Sequence, residues 1–226
     1  MTDTEALDLV EVLCKTLAAE GVAYCHWKSN EAIDRSMTGD NDLDLLVARE
    51  HHGRFLEVLA SLGFKAAALP PARDVPAVVH YYGLDAPSGR LVHVHAHYRL
   101  VLGDDTTKNF CLPIEQAYLA SSSVDGLFPV PAPEFELAVL VLRLVLKHST
   151  WDAMLQARGA LAASEQRELA WLQERFGTVL PWLAYPYGRV DDAVLVKVKE
   201  EGYQAAFTVR RESNAAFTDL LRISRS

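Results

Sequence analysis

The stretch that decides the fold combines Trp27-Lys28-Ser29-Asn30 with Asp42-Leu43-Asp44-Leu45-Leu46-Val47. The second part predicts a half-buried β-strand, because every second residue from position 43 onward is apolar. Residues two apart on a strand face the same side, so the carboxylates of Asp42 and Asp44 project together. A hard divalent cation such as Mg²⁺ relieves the repulsion between two such groups. For these two acids taken alone, the simpler interpretation is a turn after Gly39 and a solvated strand face.

A Trp-Lys-Ser loop, a short helix and an Asp-x-Asp strand, in this order and spacing, resemble the signature of the polymerase-β-like nucleotidyltransferase superfamily. The closer resemblance is to uncharacterised bacterial nucleotidyltransferase-like proteins, over about residues 5–175. It implies that Asp42 and Asp44 bind Mg²⁺, or another divalent cation such as Mn²⁺ or Zn²⁺. It also implies that Lys28, Ser29 and Asn30 hold the phosphates of a nucleoside triphosphate. Lys28 occupies a loop position that the superfamily usually fills with glycine.

Three histidines alternate with small apolar residues along a later predicted strand, at positions 93, 95 and 97. They share one face, but same-face neighbours on a strand lie about 6–7 Å apart, which argues against one ion bound by all three. An ordinary polar strand face is the alternative. The resemblance implies a third metal ligand from this strand, and His95 stands where related proteins carry aspartate. We therefore predict Asp42, Asp44 and His95 as metal-binding and catalytic residues. An imidazole in this position favours a softer metal than Mg²⁺, or a lost activity.

The order of predicted elements indicates an α/β (α+β) fold, with a nucleotidyltransferase-like mixed sheet covered by helices. Apolar periodicity predicts helices over residues 4–20, 31–36, 50–62, 133–148, 151–161 and 164–176, and strands over 22–26, 42–47, 64–69, 78–84 and 90–98. Asn30 and Ser164 are predicted N-caps. These elements form a predicted domain over residues 1–178.

Two cations on the predicted helix over 133–148, Arg143 and Lys147, lie one turn apart on one stripe. They are candidate nucleotide-binding residues, since they can neutralise substrate phosphate or meet the acidic pair. Alternatively, they extend into solvent at the helix C-terminal end.

The tail over residues 179–226 differs in character from the preceding domain. Its Tyr185-Pro186-Tyr187-Gly188 and Gly202-Tyr203-Gln204-Ala205-Ala206-Phe207-Thr208 segments are similar to the closing βαβ portion of NodB-type polysaccharide deacetylases. Neither that family's Thr-Phe-Asp-Asp-Gly segment nor its His-x-x-x-His metal-binding segment occurs in this tail. We therefore interpret the tail as a fused fragment without deacetylase activity of its own.

Composition limits the remaining possibilities. The chain has 226 residues, half of them apolar, and a net charge of −8, which argues against an extended nucleic-acid surface. Its acidic start lacks a signal-peptide pattern, and its longest apolar run is too short for a membrane span. Three widely spaced cysteines are typical of free thiols in a reducing compartment. These features predict a cytoplasmic protein.

Two functional hypotheses from different classes follow. The first is a metal-dependent nucleotidyltransferase that transfers a nucleotidyl group from a nucleoside triphosphate to an unidentified hydroxyl acceptor. The second is a catalytically silent relative that acts as a nucleotide-binding or interaction module. A zinc hydrolase built on His93, His95 and His97 ranks last, because the sequence shows no further spaced ligand motif.

Overall fold

A computed structural model of the protein describes residues 5–70, 75–103, 108, 110–147, 162–176, 182–184, 190–200, 202–203, 205–208 and 219–222. The chain divides into two compact units, Met1–Arg175 and Phe176–Ser226. Within the described residues, no helix combines the length and apolar character needed to cross a membrane.

A mixed five-stranded sheet forms the centre of the first unit, so the prediction of a mixed α/β fold is confirmed. Its strands, in chain order, are Tyr24–His26 (β1), Leu43–Val47 (β2), Lys65–Ala66 (β3), Val78–Asp85 (β4) and Arg90–His97 (β5). Across the sheet the order is β1-β2-β5-β4-β3. Strands β2 and β5 are parallel, and every other neighbouring pair is antiparallel. The predicted hairpin of β4 and β5 is present, whereas the strand predicted over 64–69 is only two residues long.

Helices and short hairpins cover this sheet. The helices are Asp8–Ala19 (α1), Ile33–Met37 (α2), His52–Ser61 (α3), Glu115–Ala120 (α4), Pro133–Lys147 (α5) and Ala163–Phe176 (α6). Two further hairpins pair Leu100–Leu102 (β6) with Phe110–Leu112 (β7), and Ser123–Asp125 (β8) with Phe128–Val130 (β9). The helix predicted over 151–161 lies outside the described residues.

Two predicted helix caps are wrong. Helix α6 begins at Ala163, one residue before Ser164, and the Glu165 carboxylate accepts the backbone N–H of Ala162 at 2.7 Å. Asn30 does not cap the turn after the loop, because its side chain is held by other residues. Ser164 lies within the first turn of α6, and a carboxylate such as that of Glu165 is favoured near a helix N-terminus.

Both faces of β2 are buried, so the prediction of a half-buried strand is wrong. Leu43, Leu45 and Val47 belong to an apolar core packed against α1 and α3. On the opposite face, Leu46 packs in a second cluster with residues from β6, α4 and α5. Helix α5 is only partly buried, since Val141 is 47% exposed.

The second unit contains a strand, a helix and a parallel strand, which matches the predicted βαβ order. These elements are Trp182–Ala184 (β10), Asp192–Glu200 (α7) and Ala205–Phe207 (β11). A single helical turn follows at Leu220–Arg222. The Tyr185-Pro186-Tyr187-Gly188 segment lies outside the described residues.

Candidate metal centre

Parallel pairing of β2 and β5 creates the candidate site. The register places Asp44 directly opposite His95. Both strands lie in the middle of the sheet, so the site is built on rigid elements rather than on a loop. Sequence alternation brings the acids of β2 and the imidazoles of β5 to the same face, as predicted.

Three of these side chains could hold one metal ion. Asp44, His95 and His97 each offer a ligand atom, and all three atoms lie within 4.8 Å of one another. The Nδ1 of His95 lies 2.9 Å from an oxygen of Asp44, and the Nε2 of His97 lies 3.6 Å from the same oxygen. Two imidazoles and one carboxylate suit Zn²⁺, Fe²⁺ or Mn²⁺ better than Mg²⁺.

The hydrogen bonds around this cluster determine which ring nitrogens can bind an ion. A carboxylate only accepts, so the Nδ1–H of His95 donates to Asp44, and binding an ion through this Nδ1 would require the ring proton to move to Nε2. Among the described residues, neither ring nitrogen of His97 has a hydrogen-bond partner, although both are buried, since 3.6 Å is too long for a hydrogen bond. The indole N–H of Trp27, whose ring lies 4.9 Å from that of His97, is equally unpartnered. Unpartnered buried polar atoms are costly, and a bound ion with its waters would satisfy them.

Charged neighbours keep Asp44 ionised despite its burial. Burial acts to raise the pKa of Asp44, but the Lys28 ammonium 2.8 Å away and the hydrogen bond from His95 hold it well below its usual range. Burial also lowers the pKa of His97 to about 3. The cluster therefore presents a carboxylate and a neutral imidazole, the forms that bind metal.

The second predicted acid, Asp42, lies outside this three-residue cluster and has a different partner. The Nδ1–H of His93 donates to Asp42 at 2.6 Å, and the other ring nitrogen of His93 lies 2.9 Å from Nδ1 of His80. The hydrogen bond from His93 lowers the pKa of Asp42. The side chain of Asp42 is 49% exposed, whereas that of Asp44 is 9% exposed. Asp42 thus stands at the mouth of the site and Asp44 at its base.

An aromatic stack extends along the same face. Tyr82 stacks on His93 with ring centres 4.4 Å apart, and His80 stacks on His95 at 4.3 Å. Stacking fixes the orientation of the imidazoles, which preorganises the site.

The predicted phosphate loop reaches the site through one residue. Lys28 contacts Asp44, and Ser29 adopts a left-handed backbone conformation with φ of 56°. The backbone N–H of Ser29 lies 3.3 Å from the Glu168 carboxylate on α6. Asn30 is buried, and its amide donates to Glu136 at 2.6 Å. Of the three loop residues, only Lys28 is brought to the metal cluster.

The two predicted phosphate-binding cations of α5 face α6. Arg143 contacts Glu168 at 2.9 Å, and Lys147 contacts Glu165 at 3.0 Å. Neither ion pair involves Asp42 or Asp44. The alternative prediction had both cations extending into solvent, and neither does so. Glu168 therefore receives both Arg143 and the loop amide of Ser29.

Sequence reasoning missed several residues of this site. His97 shares the alternation that identified His95, and this pattern could have included it in the ligand set. His80 could have been found from the predicted hairpin, which places it opposite His95. Glu136 and Glu168 carry no local signal, because each meets the loop across more than 100 residues of sequence.

Comparisons with protein-family models, with curated proteins and with solved structures give no significant match to this chain. The geometry of the site is therefore the principal argument for function.

Proposed function

We propose that this protein is a divalent-metal-dependent nucleotidyltransferase whose metal ligands are Asp44, His95 and His97. The observation that carries the proposal is the convergence of these three side chains with Lys28 of the predicted phosphate loop. The ring nitrogens of His97, which have no hydrogen-bond partner among the described residues, support the presence of an ion at this site. The resemblance to nucleotidyltransferases supplies the reaction.

In the proposed reaction, an acceptor hydroxyl attacks the α-phosphorus of a nucleoside triphosphate. A new phosphorus–oxygen bond forms, the bond to pyrophosphate breaks, and the hydroxyl proton leaves to solvent. A bound divalent ion would supply charge neutralisation at the phosphates. Lys28 would move from Asp44 to a phosphate oxygen, since an ammonium binds either anion. The imidazoles of β5, fixed by stacking, would keep the ligand atoms in place.

Metal titration tests the first half of this proposal. We expect Zn²⁺ or Mn²⁺ to bind by calorimetry with one site per chain, more tightly than Mg²⁺. Asp44→Asn should weaken binding at least about tenfold, as expected on loss of an anionic ligand. Asp42→Asn is the matched control, with less than about twofold change, because Asp42 is exposed and paired with His93. Equal effects of the two variants would reject the ligand assignment.

Nucleotide binding and turnover test the second half. We expect calorimetry to show nucleoside triphosphate binding that requires the metal, and pyrophosphate release when a hydroxyl acceptor is present. Binding that is unchanged in Asp44→Asn would contradict a role for the site in holding nucleotide.

The catalytically silent alternative has a specific observation in its favour. The Glu168 carboxylate accepts hydrogen bonds from Arg143 and from the backbone N–H of Ser29. Groups that were predicted to bind phosphate therefore already bind a carboxylate. Glu168→Gln separates the two functions. If the carboxylate excludes phosphate, this variant should bind metal-nucleotide more tightly than wild type. If the protein has lost nucleotide binding, wild type and variant should both bind metal and neither should bind nucleotide.

A further inference from the structure

A cavity of about 430 Å³ lies at the opposite end of the central strands from Asp42. It falls within the size range of small-molecule sites, about 300–1,000 Å³. Among the residues that the structure describes, those lining the cavity include three cations: Arg49, Pro76, Ala77, Arg99, Val101, Lys108, Phe110 and Cys111. In a chain of net charge −8, such a group of cations requires an explanation.

The sheet topology explains why the two arginines meet. Arg49 follows the end of β2 by two residues, and Arg99 follows the end of β5 by two residues. Because β2 and β5 are parallel neighbours, their carboxyl ends open at the same edge of the sheet. Ligands of open α/β sheets bind in the crevice outside the carboxyl ends of parallel strands.

Within the part of the chain that the structure describes, Arg49 and Arg99 have no ion-pair or side-chain hydrogen-bond partner. Both residues are exposed, and a guanidinium group presents donors that match phosphate or carboxylate oxygens. An anion bound in the cavity would be attracted by both positive charges.

The other residues that line the cavity indicate the chemical character of the rest of the ligand. Val101 and Phe110 present apolar surface beside the cations, and Phe110 is 38% exposed. An exposed aromatic ring next to paired guanidinium groups suits a molecule with one anionic end and one apolar end.

We propose that this cavity is a binding site for an organic phosphate, in which Arg49 and Arg99 bind the phosphate group and Phe110 packs against the apolar part. Two guanidinium groups favour a dianionic phosphate monoester over a monoanionic carboxylate. The site stands apart from the metal cluster and does not depend on the proposed transfer reaction.

Cys111 supplies a reporter inside this cavity. It is the exposed thiol among the three free cysteines, whereas Cys14 and Cys25 are buried, and burial raises the pKa of each to about 12. A disulfide reagent such as 5,5′-dithiobis(2-nitrobenzoate) should therefore react fast with one thiol and slowly with two. A ligand in the cavity should slow the fast phase.

The probes are phenyl phosphate, inorganic phosphate, benzoate and phenol at constant ionic strength. We expect phenyl phosphate to protect Cys111 at the lowest concentration, inorganic phosphate and benzoate to protect it less, and phenol to give no protection. The double variant Arg49→Gln, Arg99→Gln should raise the half-protecting concentration of phenyl phosphate at least about tenfold. Arg54→Gln, which removes an exposed charge from α3, should leave it unchanged.

Three results would overturn the proposal: no protection of the wild type by phenyl phosphate, equal protection in the double variant, or benzoate protecting at least as well as phenyl phosphate. Both arginines are exposed, so we expect the double variant to fold. Should it unfold, the order of the four probes on wild type still decides between the outcomes. Protection that persists in Asp44→Asn would separate this site from the metal centre.

Discussion

The two faces of the central sheet differ in what the same strands contribute. On one face of β5, Val92, Val94 and Ala96 are almost completely buried in the apolar core. On the other, His93 and His95 donate hydrogen bonds to Asp42 and Asp44, and His95 and His97 belong to the candidate metal cluster. One face of the strand contributes to the apolar core, and the other carries side chains of the candidate metal site. A slip of one residue in register would exchange the two faces, so the apolar core also fixes the geometry of the site.

The largest expected effect comes from disrupting the apolar face. Leu45→Ala should cost about 2–5 kcal/mol of unfolding free energy, because Leu45 is fully buried and its truncation leaves a cavity. Chemical denaturation measures the loss. Metal affinity of the folded protein should change little, because Leu45 points away from the cluster. A loss below about 1 kcal/mol would show that this face is less tightly packed than described.

The next largest effect is expected at Glu136, a buried acid that accepts a hydrogen bond from Asn30 of the predicted phosphate loop. Burial raises the pKa of Glu136 from 4.5 to about 7, so the folded state binds a proton that the unfolded state has released between these values. The contribution of Glu136 to the unfolding free energy of the wild type should therefore decrease as pH rises from 4.5 to 7. Glu136→Gln should gain nothing near pH 4.5 and on the order of 3 kcal/mol above pH 7.

Exposed Glu134 on the same helix provides the control for that experiment. Glu134→Gln should show no such pH-dependent gain. A Glu136→Gln gain that is the same at pH 4.5 and pH 8 would contradict a raised pKa. Thermal unfolding monitored by circular dichroism across this pH range measures both variants.

A smaller effect is expected at the polar face itself. Lys28→Met removes the cation that neutralises buried Asp44, and should cost about 1–3 kcal/mol in metal-free buffer. A divalent ion can replace the missing positive charge. Zn²⁺ should therefore raise the melting temperature of this variant more than that of wild type. A smaller rise in the variant would mean that Lys28 assists metal binding rather than substituting for it.

The smallest effect concerns a single hydrogen bond in the stack. His80→Phe keeps a ring against His95 but loses the bond to His93, and should cost about 0.5–1.5 kcal/mol. His80→Ala, which loses both interactions, should cost more. Equal losses in urea titrations would show that stacking contributes nothing.

Sequence patterns predicted which strand residues share a face better than they predicted what packs against each face. Alternation along β2 and β5 correctly placed Asp44 and His95 on one side, because strand periodicity is a local property. Burial of the second face of β2 depends on helices α4 and α5, which lie far along the chain, so the strand was wrongly predicted to be half-buried.

Pairings between distant residues were the hardest to predict. The interactions of Arg143 and Asn30 are decided by Glu168 and Glu136, and no local pattern of those glutamates distinguishes them from surface acids. Arg49 and Arg99, which follow the carboxyl ends of β2 and β5, line one cavity because these strands are parallel. Their position beside one cavity follows from the sheet topology rather than from the sequence near either arginine.

The parallel pairing of β2 with β5 also sets when the metal centre can form during synthesis. Asp44 and His95 are separated by 51 residues, and His97 comes later still. A nascent chain that has not yet exposed β5 outside the ribosome carries an acidic strand with no imidazole partners. Closure of that long segment is a slow, non-local step compared with helix formation. An ion held by all three side chains of this cluster would therefore require β2 and β5 to be paired first.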